Sequence, residues 1–479
     1  MSDKTTAPHY APMRGRNAKI IATLGPGSRA PDTVKLLAQV GVDVFRLNFS
    51  HGSHEDHKAA FETVRGVEEA LGRPLAILAD LQGPKIRVGS FPGGEIRLGF
   101  QQNYKLVSGA TTHEEDTIPV PHPEILEMMD VGDEILLNDG QLQMTVIEAG
   151  ETIKVRADLP GKLGDKKGFT VRGKALPVGA MTDKDRIDLD YAMKLGVDIV
   201  ALSFVQTVAD IEEAKAVIAG RAPLVAKLEK PAAITNLDEI VQAADAVMVA
   251  RGDLGVEFPL EQVPVIQRRI IRAARSAGRP VIVATQMLES MIEHAAPTRA
   301  EASDVATAIY QGADGVMLSA ETAMGRHPAT AVAIMDRIIK AAEQAEDFEI
   351  AIDQFDGGGA PEWDRAVDVV AEAVLGLAVK QQACAISLRT GSFARLARFS
   401  RVRGRVPILY GSIDKTRLRQ AQLMWGVNPY AFQVDGEESW AGDLASAAGL
   451  GGCYAYARWR GGGDNMFAWE IGASNYEPD

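Results

Sequence analysis

The sequence has 479 residues, 46% hydrophobic and 24% charged, with 51 basic against 64 acidic residues and a net charge of −13. That length exceeds one ordinary core and predicts two or three domains, while the acidic balance argues against a general nucleic-acid binder. Two cysteines, Cys384 and Cys453, are too few for a disulfide framework and fit a reducing cytoplasm, and the absence of any run of about 18 apolar residues argues against a membrane span.

Residues 1–13 are polar and contain proline but no apolar stretch, which predicts a flexible tail rather than a signal peptide. Short apolar runs follow at 18–23, 42–47 and 75–79, and again at 198–203, 224–228, 246–250, 280–284 and 315–318. Apolar residues at helical spacing over 210–218 and 266–277 separate later runs. Thr298 and Glu301, after Pro297, read as a capping box opening a helix that stops near Gly312. Eight buried strands alternating with helices predict an α/β fold, a parallel (β/α)8 TIM barrel of residues 14–82 and 175–345.

Between the third and fourth runs, residues 83–174 are rich in short alternating stretches and turns, with Asn138-Asp139-Gly140 a strong hairpin signal. This predicts a small inserted β domain at the catalytic end of the barrel, placed to act as a lid and carrying Asp139, Lys166 and Lys167. Beyond 345 the pattern changes. Gly357, Gly358 and Gly359 mark a break, a helix is expected over 365–380, and strands near 384–388, 407–410, 428–432, 452–456 and 466–471. Residues 346–479 read as a C-terminal α/β domain for regulation or assembly.

Polar residues cluster where the barrel runs end: Thr23, Arg46, Asn48, Asp80, Ser203, Lys227, Glu229, Arg251, Asp253, Thr285, Ser319 and Glu321. Taken singly, each is explained as a helix cap or a solvated turn. As a set they obey the rule that barrel active sites lie at the C-terminal ends of the strands. Strand alternation puts Lys227 and Glu229 on one side, and the next run delivers Asp253 on a turn flanked by Gly252 and Gly255. Two carboxylates able to hold a divalent cation beside a lysine suit phosphate or enolate chemistry.

Lys227-Leu228-Glu229-Lys230-Pro231 resembles the active-site signature of the pyruvate kinase family, and Arg251-Gly252-Asp253-Leu254-Gly255 resembles its metal-ligand segment. Thr23-Leu24-Gly25-Pro26, Arg46-Leu47-Asn48-Phe49-Ser50-His51, Thr285-Gln286-Met287 and Ser319-Ala320-Glu321-Thr322 are similar to four more of its motifs, in the family's order. The resemblance is strong over residues 17–345 and weak beyond. It implies a barrel, an inserted small β-barrel lid, a C-terminal α/β domain and a homotetramer. It also implies phosphoryl transfer from phosphoenolpyruvate to ADP, giving ATP and pyruvate through an enolate.

Matched residue by residue, the resemblance gives Glu229 and Asp253 as ligands of Mg²⁺ or Mn²⁺ and Lys227 as the charge neutralising the phosphoryl group and then the enolate. It gives Arg46 as a phosphoryl contact, the backbone at Gly252 and Asp253 as the holder of the substrate carboxylate, and Asn48 and His51, with Arg87 and Lys167, as nucleotide contacts. Thr285 is expected near the methylene carbon that takes a proton from a water chain, positioned by Ser319 and Glu321. Arg251 is expected to pair with a carboxylate beneath the site, Glu257 to be a surface residue and Lys166 to be solvated.

One segment departs from the family. Where many members read Asp-Thr-Lys-Gly-Pro-Glu and use K⁺, this chain has Asp80-Leu81-Gln82-Gly83-Pro84-Lys85. Leu81 offers no side-chain oxygen, and Lys85 replaces a negative charge with a positive one. The pair resembles the family's K⁺-independent branch, with the Lys85 ammonium expected near Asp80 and Ser50 in place of the ion. In the C-terminal domain, Thr390-Gly391-Ser392 follows a strand and opens a helix, the geometry for a phosphate, so a sugar-phosphate or nucleotide effector is expected there. Two other readings compete: a metal-dependent barrel lyase or aldolase acting through pyruvate enolate, and a catalytically silent scaffold.

Overall fold

The computed structural model describes residues 14–112, 114, 116–345, 348, 362–404, 406–431, 440–448, 454–462 and 466–474. The expected tail at 1–13, the glycine break at 357–359 and Cys453 lie outside these described residues.

Eight parallel strands close into a barrel: Lys19–Thr23, Val44–Asn48, Ala76–Asp80, Ile199–Leu202, Leu224–Leu228, Ala246–Ala250, Val281–Ala284 and Gly315–Leu318. Each lies within two residues of the apolar run that predicts it. Consecutive strands are sheet neighbours, and the first closes on the last with Lys19 opposite Gly315. Both faces of these strands are buried, which is why they read as continuous apolar runs. Alternate residues still separate: Ile21, Leu78, Val225 and Met248 share one core cluster, while Ile20, Ile77, Leu224 and Val247 join the larger core with the surrounding helices. The capping box at Thr298 is formed, with Thr298 N–H donating to Glu301 Oε2 at 2.7 Å and Glu301 N–H to Thr298 Oγ1 at 3.2 Å.

The segment between the third and fourth barrel strands forms a six-stranded sheet and a two-stranded sheet around a core of its own, including Tyr104, Ile135, Met144 and Val155. Glu134–Leu137 and Leu142–Glu148 pair antiparallel across the Asn138-Asp139-Gly140 turn, where all three residues have positive φ. Beyond the barrel, helix Glu362–Lys380 accompanies a five-stranded sheet whose last strand, Met466–Ser474, is antiparallel to its neighbour. This unit meets the barrel where strands begin: Arg403 pairs with Asp314 at 2.7 Å, and Lys19 Nζ donates to Val427 O at 2.6 Å. It therefore lies at the end opposite the polar strand termini. Among the described residues no helix is long and apolar enough to cross a membrane.

Candidate active site

Five adjacent strand ends meet in one buried polar network. Arg46 Nε donates to Asp80 Oδ2 at 2.7 Å and its Nη1 to Thr23 Oγ1 at 3.0 Å. Asp80 also faces Lys227 Nζ at 3.3 Å. The same ammonium lies 2.9 Å from Glu229 Oε1 and donates to Ser203 Oγ at 2.7 Å, and Ser203 Oγ donates to Leu81 O at 2.6 Å. Strand alternation sets this up, because Lys227 and Glu229 are two residues apart at the end of one strand.

The electrostatics follow from the pairing. Burial works against the Lys227 ammonium, but Asp80 and Glu229 outweigh it and hold its pKa above the ordinary lysine value. Burial also opposes charge on Asp80, yet Lys227 and Arg46 bring its pKa below the usual carboxylate range. For Glu229 burial wins. Its pKa is raised, helped by the charge of Asp253 and only partly offset by Lys227 and the Phe204 N–H, which donates to Glu229 Oε2 at 2.9 Å. Sequence reasoning placed Asp80 among the polar strand ends and near a monovalent-cation substitute, with no ion-pair partner assigned to it. Its larger part, as counter-ion to both Arg46 and Lys227, is readable only once three strands are side by side.

Asp253 is on the short helix Arg251–Glu257 after the sixth strand. With Glu229 it lines a cavity whose other wall comes from the insert, at Asp139, Gly168 and Thr170. Among the described residues the Asp253 carboxylate has no hydrogen-bond or ion-pair partner. Gly252 N–H donates to Thr285 Oγ1 at 2.7 Å, which brings the expected carboxylate-binding backbone against the expected methylene-side hydroxyl. Arg251 lies beneath, paired with Asp304 and donating to Thr285 O at 2.7 Å.

Glu321 is buried, and both its oxygens are taken by backbone: Oε1 by Leu288 N–H at 3.1 Å and Oε2 by Ser319 N–H at 2.7 Å. Burial raises its pKa against these bonds. It thus braces the loops after the seventh and eighth strands, and among the described residues Ser319 Oγ is a buried hydroxyl without a partner.

Arg87 and Lys167 come together where the chain enters and leaves the insert. Arg87 bridges to Gly168 and its Nη1 donates to Lys166 O at 3.0 Å, while Val88 N–H donates to Lys167 O at 2.9 Å. Lys166 and Lys167 are both exposed. At the end of the neighbouring second strand, Asn48 Oδ1 accepts Ser50 N–H at 3.2 Å and His51 is exposed.

Two expectations need correction. Glu257 is not a surface residue: it is 5% exposed and ion-paired with Lys230, itself 3% exposed. It falls one helical turn after Asp253, so the helix carrying Asp253 inward carries it inward too. Lys85 does not pair with Asp80. Gly83, with φ 70°, and Pro84 turn the chain out of the barrel, and Lys85 Nζ pairs with Asp139 of the insert at 3.4 Å. It still lines the cavity holding Glu229 and Asp253.

In the C-terminal unit, Thr390, Gly391 and Ser392 link strand Ala385–Arg389 to helix Phe393–Arg401. Thr390 Oγ1 accepts Ser392 N–H at 3.3 Å, Ser392 Oγ caps Arg395 N–H at 3.4 Å, and Arg417 Nη1 donates to Gly391 O at 2.5 Å.

A family description, the barrel domain of pyruvate kinase, matches residues 15–332. Curated relatives extend the likeness. A pyruvate kinase of Methylorubrum extorquens is 44% identical over 418 residues, covering 87% of each chain. One of Agrobacterium vitis is 45% identical over 86% of this chain and 87% of its own. One of Mycobacterium tuberculosis is 41% identical over 87% of each. The chain belongs to the pyruvate kinase family.

Proposed function

We propose that this chain transfers the phosphoryl group of phosphoenolpyruvate to ADP, yielding ATP and pyruvate through an enolate. The observation that carries this reading is Lys227: a largely buried ammonium kept charged by Asp80 and Glu229, next to a cavity lined by Glu229 and Asp253. A fixed positive charge in a site of low dielectric stabilises the transferring phosphoryl group and then the oxygen of the departing enolate, with no reorganisation during reaction. Arg46, oriented by Asp80 and Thr23, holds the phosphoryl oxygens.

The donor set fits a divalent cation. Glu229 and the unpartnered Asp253 are hard oxygen ligands, and two carboxylates leave the remaining positions to substrate and water, as Mg²⁺ or Mn²⁺ prefers. Such an ion, when bound, supplies charge neutralisation across the substrate oxygens. The backbone at Gly252 and Asp253 receives the substrate carboxylate. Thr285 lies at the methylene side, where a hydroxyl is too weak an acid to act alone, so water delivers the proton with Ser319 Oγ as its holder. Arg87 and Lys167 reach the nucleotide phosphates, with Asn48 and His51 contacting the nucleotide from the end of the second strand.

We assign residues 14–82 and 175–345 to the catalytic barrel, 83–174 to the lid and 346–479 to a regulatory or assembly domain, in a cytoplasmic homotetramer working without K⁺. The lyase alternative needs no ADP, and the scaffold reading leaves the charged network without a purpose. Pyruvate release from phosphoenolpyruvate, followed with and without ADP, separates all three: ADP-dependent pyruvate with matching ATP is expected, and ADP-independent pyruvate or none refutes the assignment. The Thr390–Ser392 loop is assigned a sugar-phosphate or nucleotide effector. Flat responses to fructose 1,6-bisphosphate, ribose 5-phosphate and AMP retire it.

A further inference from the structure

We propose that Lys230 is a positioning residue for the divalent cation: with Glu257 it forms a second rung beside Glu229 and Asp253, fixing the separation of the two metal-binding carboxylates. This rests on the assignment of Glu229 and Asp253 as the cation's ligands.

The geometry is that of a short ladder. Glu229 and Lys230 are consecutive where the chain leaves the fifth strand. Asp253 and Glu257 are one helical turn apart on Arg251–Glu257 and share a face. The Lys230 ammonium is ion-paired with Glu257, and all four residues line one cavity. The loop side is fixed a second time by Phe204: its N–H holds Glu229 Oε2 at 2.9 Å, and its ring lies 5.8 Å from Lys230 Nζ.

Glu229 and Asp253 line one cavity with like charge, so without a cation their repulsion, only partly relieved by Lys227, acts to separate the strand end from the helix. The Lys230–Glu257 attraction opposes that separation from one residue away. A pair this buried is weak evidence for stability, because apolar side chains of similar size hold two segments together as well or better. Charge here is explained by what lies beside it. A small divalent ion tolerates little error in ligand spacing, and groups that orient ligands govern affinity as the ligands do.

The test is Mn²⁺ binding followed by electron paramagnetic resonance, which needs no turnover. The proteins are the unmodified chain, Glu229→Gln, Lys230→Met, Lys230→Arg, and Lys230→Met/Glu257→Gln, in which no buried charge is left unpaired. Lys230→Met is expected to raise the Mn²⁺ Kd about tenfold or more, and Lys230→Arg by less than about threefold. A merely structural pair lowers the melting temperature and leaves Kd unchanged. Unchanged Mn²⁺ affinity in folded Lys230→Met, or in the double variant if the single one does not fold, overturns the proposal. If Glu229→Gln binds Mn²⁺ as the unmodified chain does, the ligand assignment fails and the proposal falls with it.

Discussion

Thr285 and Gly252 are joined across two barrel strands by one hydroxyl, which accepts Gly252 N–H at 2.7 Å and donates to Ala284 O at 2.6 Å. Thr285 is held at φ 68° and Gln286 at φ 54°, a left-handed pair that is costly for a β-branched side chain. Arg251 offsets that cost by donating to the carbonyls of both. The strain therefore keeps a hydroxyl against the backbone assigned to the substrate carboxylate.

Replacing that hydroxyl tests its worth. Thr285→Val keeps the volume but leaves Gly252 N–H without its partner. Turnover is expected to fall about a hundredfold, the range for losing one pre-oriented polar group in an active site. Thr285→Ser keeps the hydroxyl and is expected to stay within about tenfold. Steady-state kcat for ADP-dependent pyruvate formation measures both, and equal activity in the Val and Ser variants would sink this role.

Lys227 offers a sharper separation of chemistry from binding. Lys227→Met removes the ammonium that Asp80 and Glu229 keep charged, while Arg46 retains its own bond to Asp80. The expected result is a loss of about a thousandfold or more in kcat with phosphoenolpyruvate binding retained, the pattern for an interaction made chiefly in the transition state. Rapid-quench single turnover and a binding titration, run on the same preparation, give the two quantities separately.

The barrel is legible in the sequence because each strand is an apolar run ending in a polar residue, a signal contained in about five residues. The motif residues are legible for the same reason. The partnerships that tune them are not. Lys85 finds Asp139, 54 positions away, only after the insert has folded over the barrel mouth. Glu257 looks like any helix-surface glutamate, since a seven-residue helix has too few turns to reveal a buried face. Glu321 is expected from the sequence to position water with Ser319, but the backbone of two loops claims both its oxygens.

The contact between barrel and C-terminal unit includes a buried carboxyl that is expected to make it pH-dependent. Asp198, at the start of the fourth strand, is fully buried against Arg65 at 2.5 Å, and Arg419 of the C-terminal unit reaches it at 3.9 Å while pairing with Glu68. Burial outweighs both arginines and pushes its pKa up to about 6. A carboxyl raised in the folded state stabilises fully below its unfolded pKa, and that stabilisation is lost as pH rises through the folded one. The window runs from about pH 4 to about pH 6, and the effect is at most about 3 kcal/mol. Asp198→Asn removes the titration, so its melting temperature should gain on that of the unmodified chain between pH 4 and pH 7. A constant difference across that range would refute the assignment.

The proposed K⁺ independence rests on two side chains on the segment leaving the third strand. Leu81 is 1% exposed and brings no side-chain oxygen, and its carbonyl already accepts the Ser203 hydroxyl. Lys85 adds a positive charge to the cavity of Glu229 and Asp253, partly neutralised by Asp139. An added K⁺ therefore lacks one ligand, and the cavity of Glu229 and Asp253 already carries the Lys85 charge. In K⁺-free buffer with Mg²⁺ the enzyme is expected to run at close to full rate, with less than about twofold activation on adding K⁺. Leu81→Thr/Lys85→Glu restores an oxygen and inverts the charge, and its activity should rise about tenfold or more with K⁺. Lys85→Glu alone separates the two contributions: it should be slow without K⁺ and only partly rescued by it, since Leu81 still supplies no ligand. Strong K⁺ activation of the unmodified enzyme would show that Lys85, paired with Asp139, does not stand in for the ion.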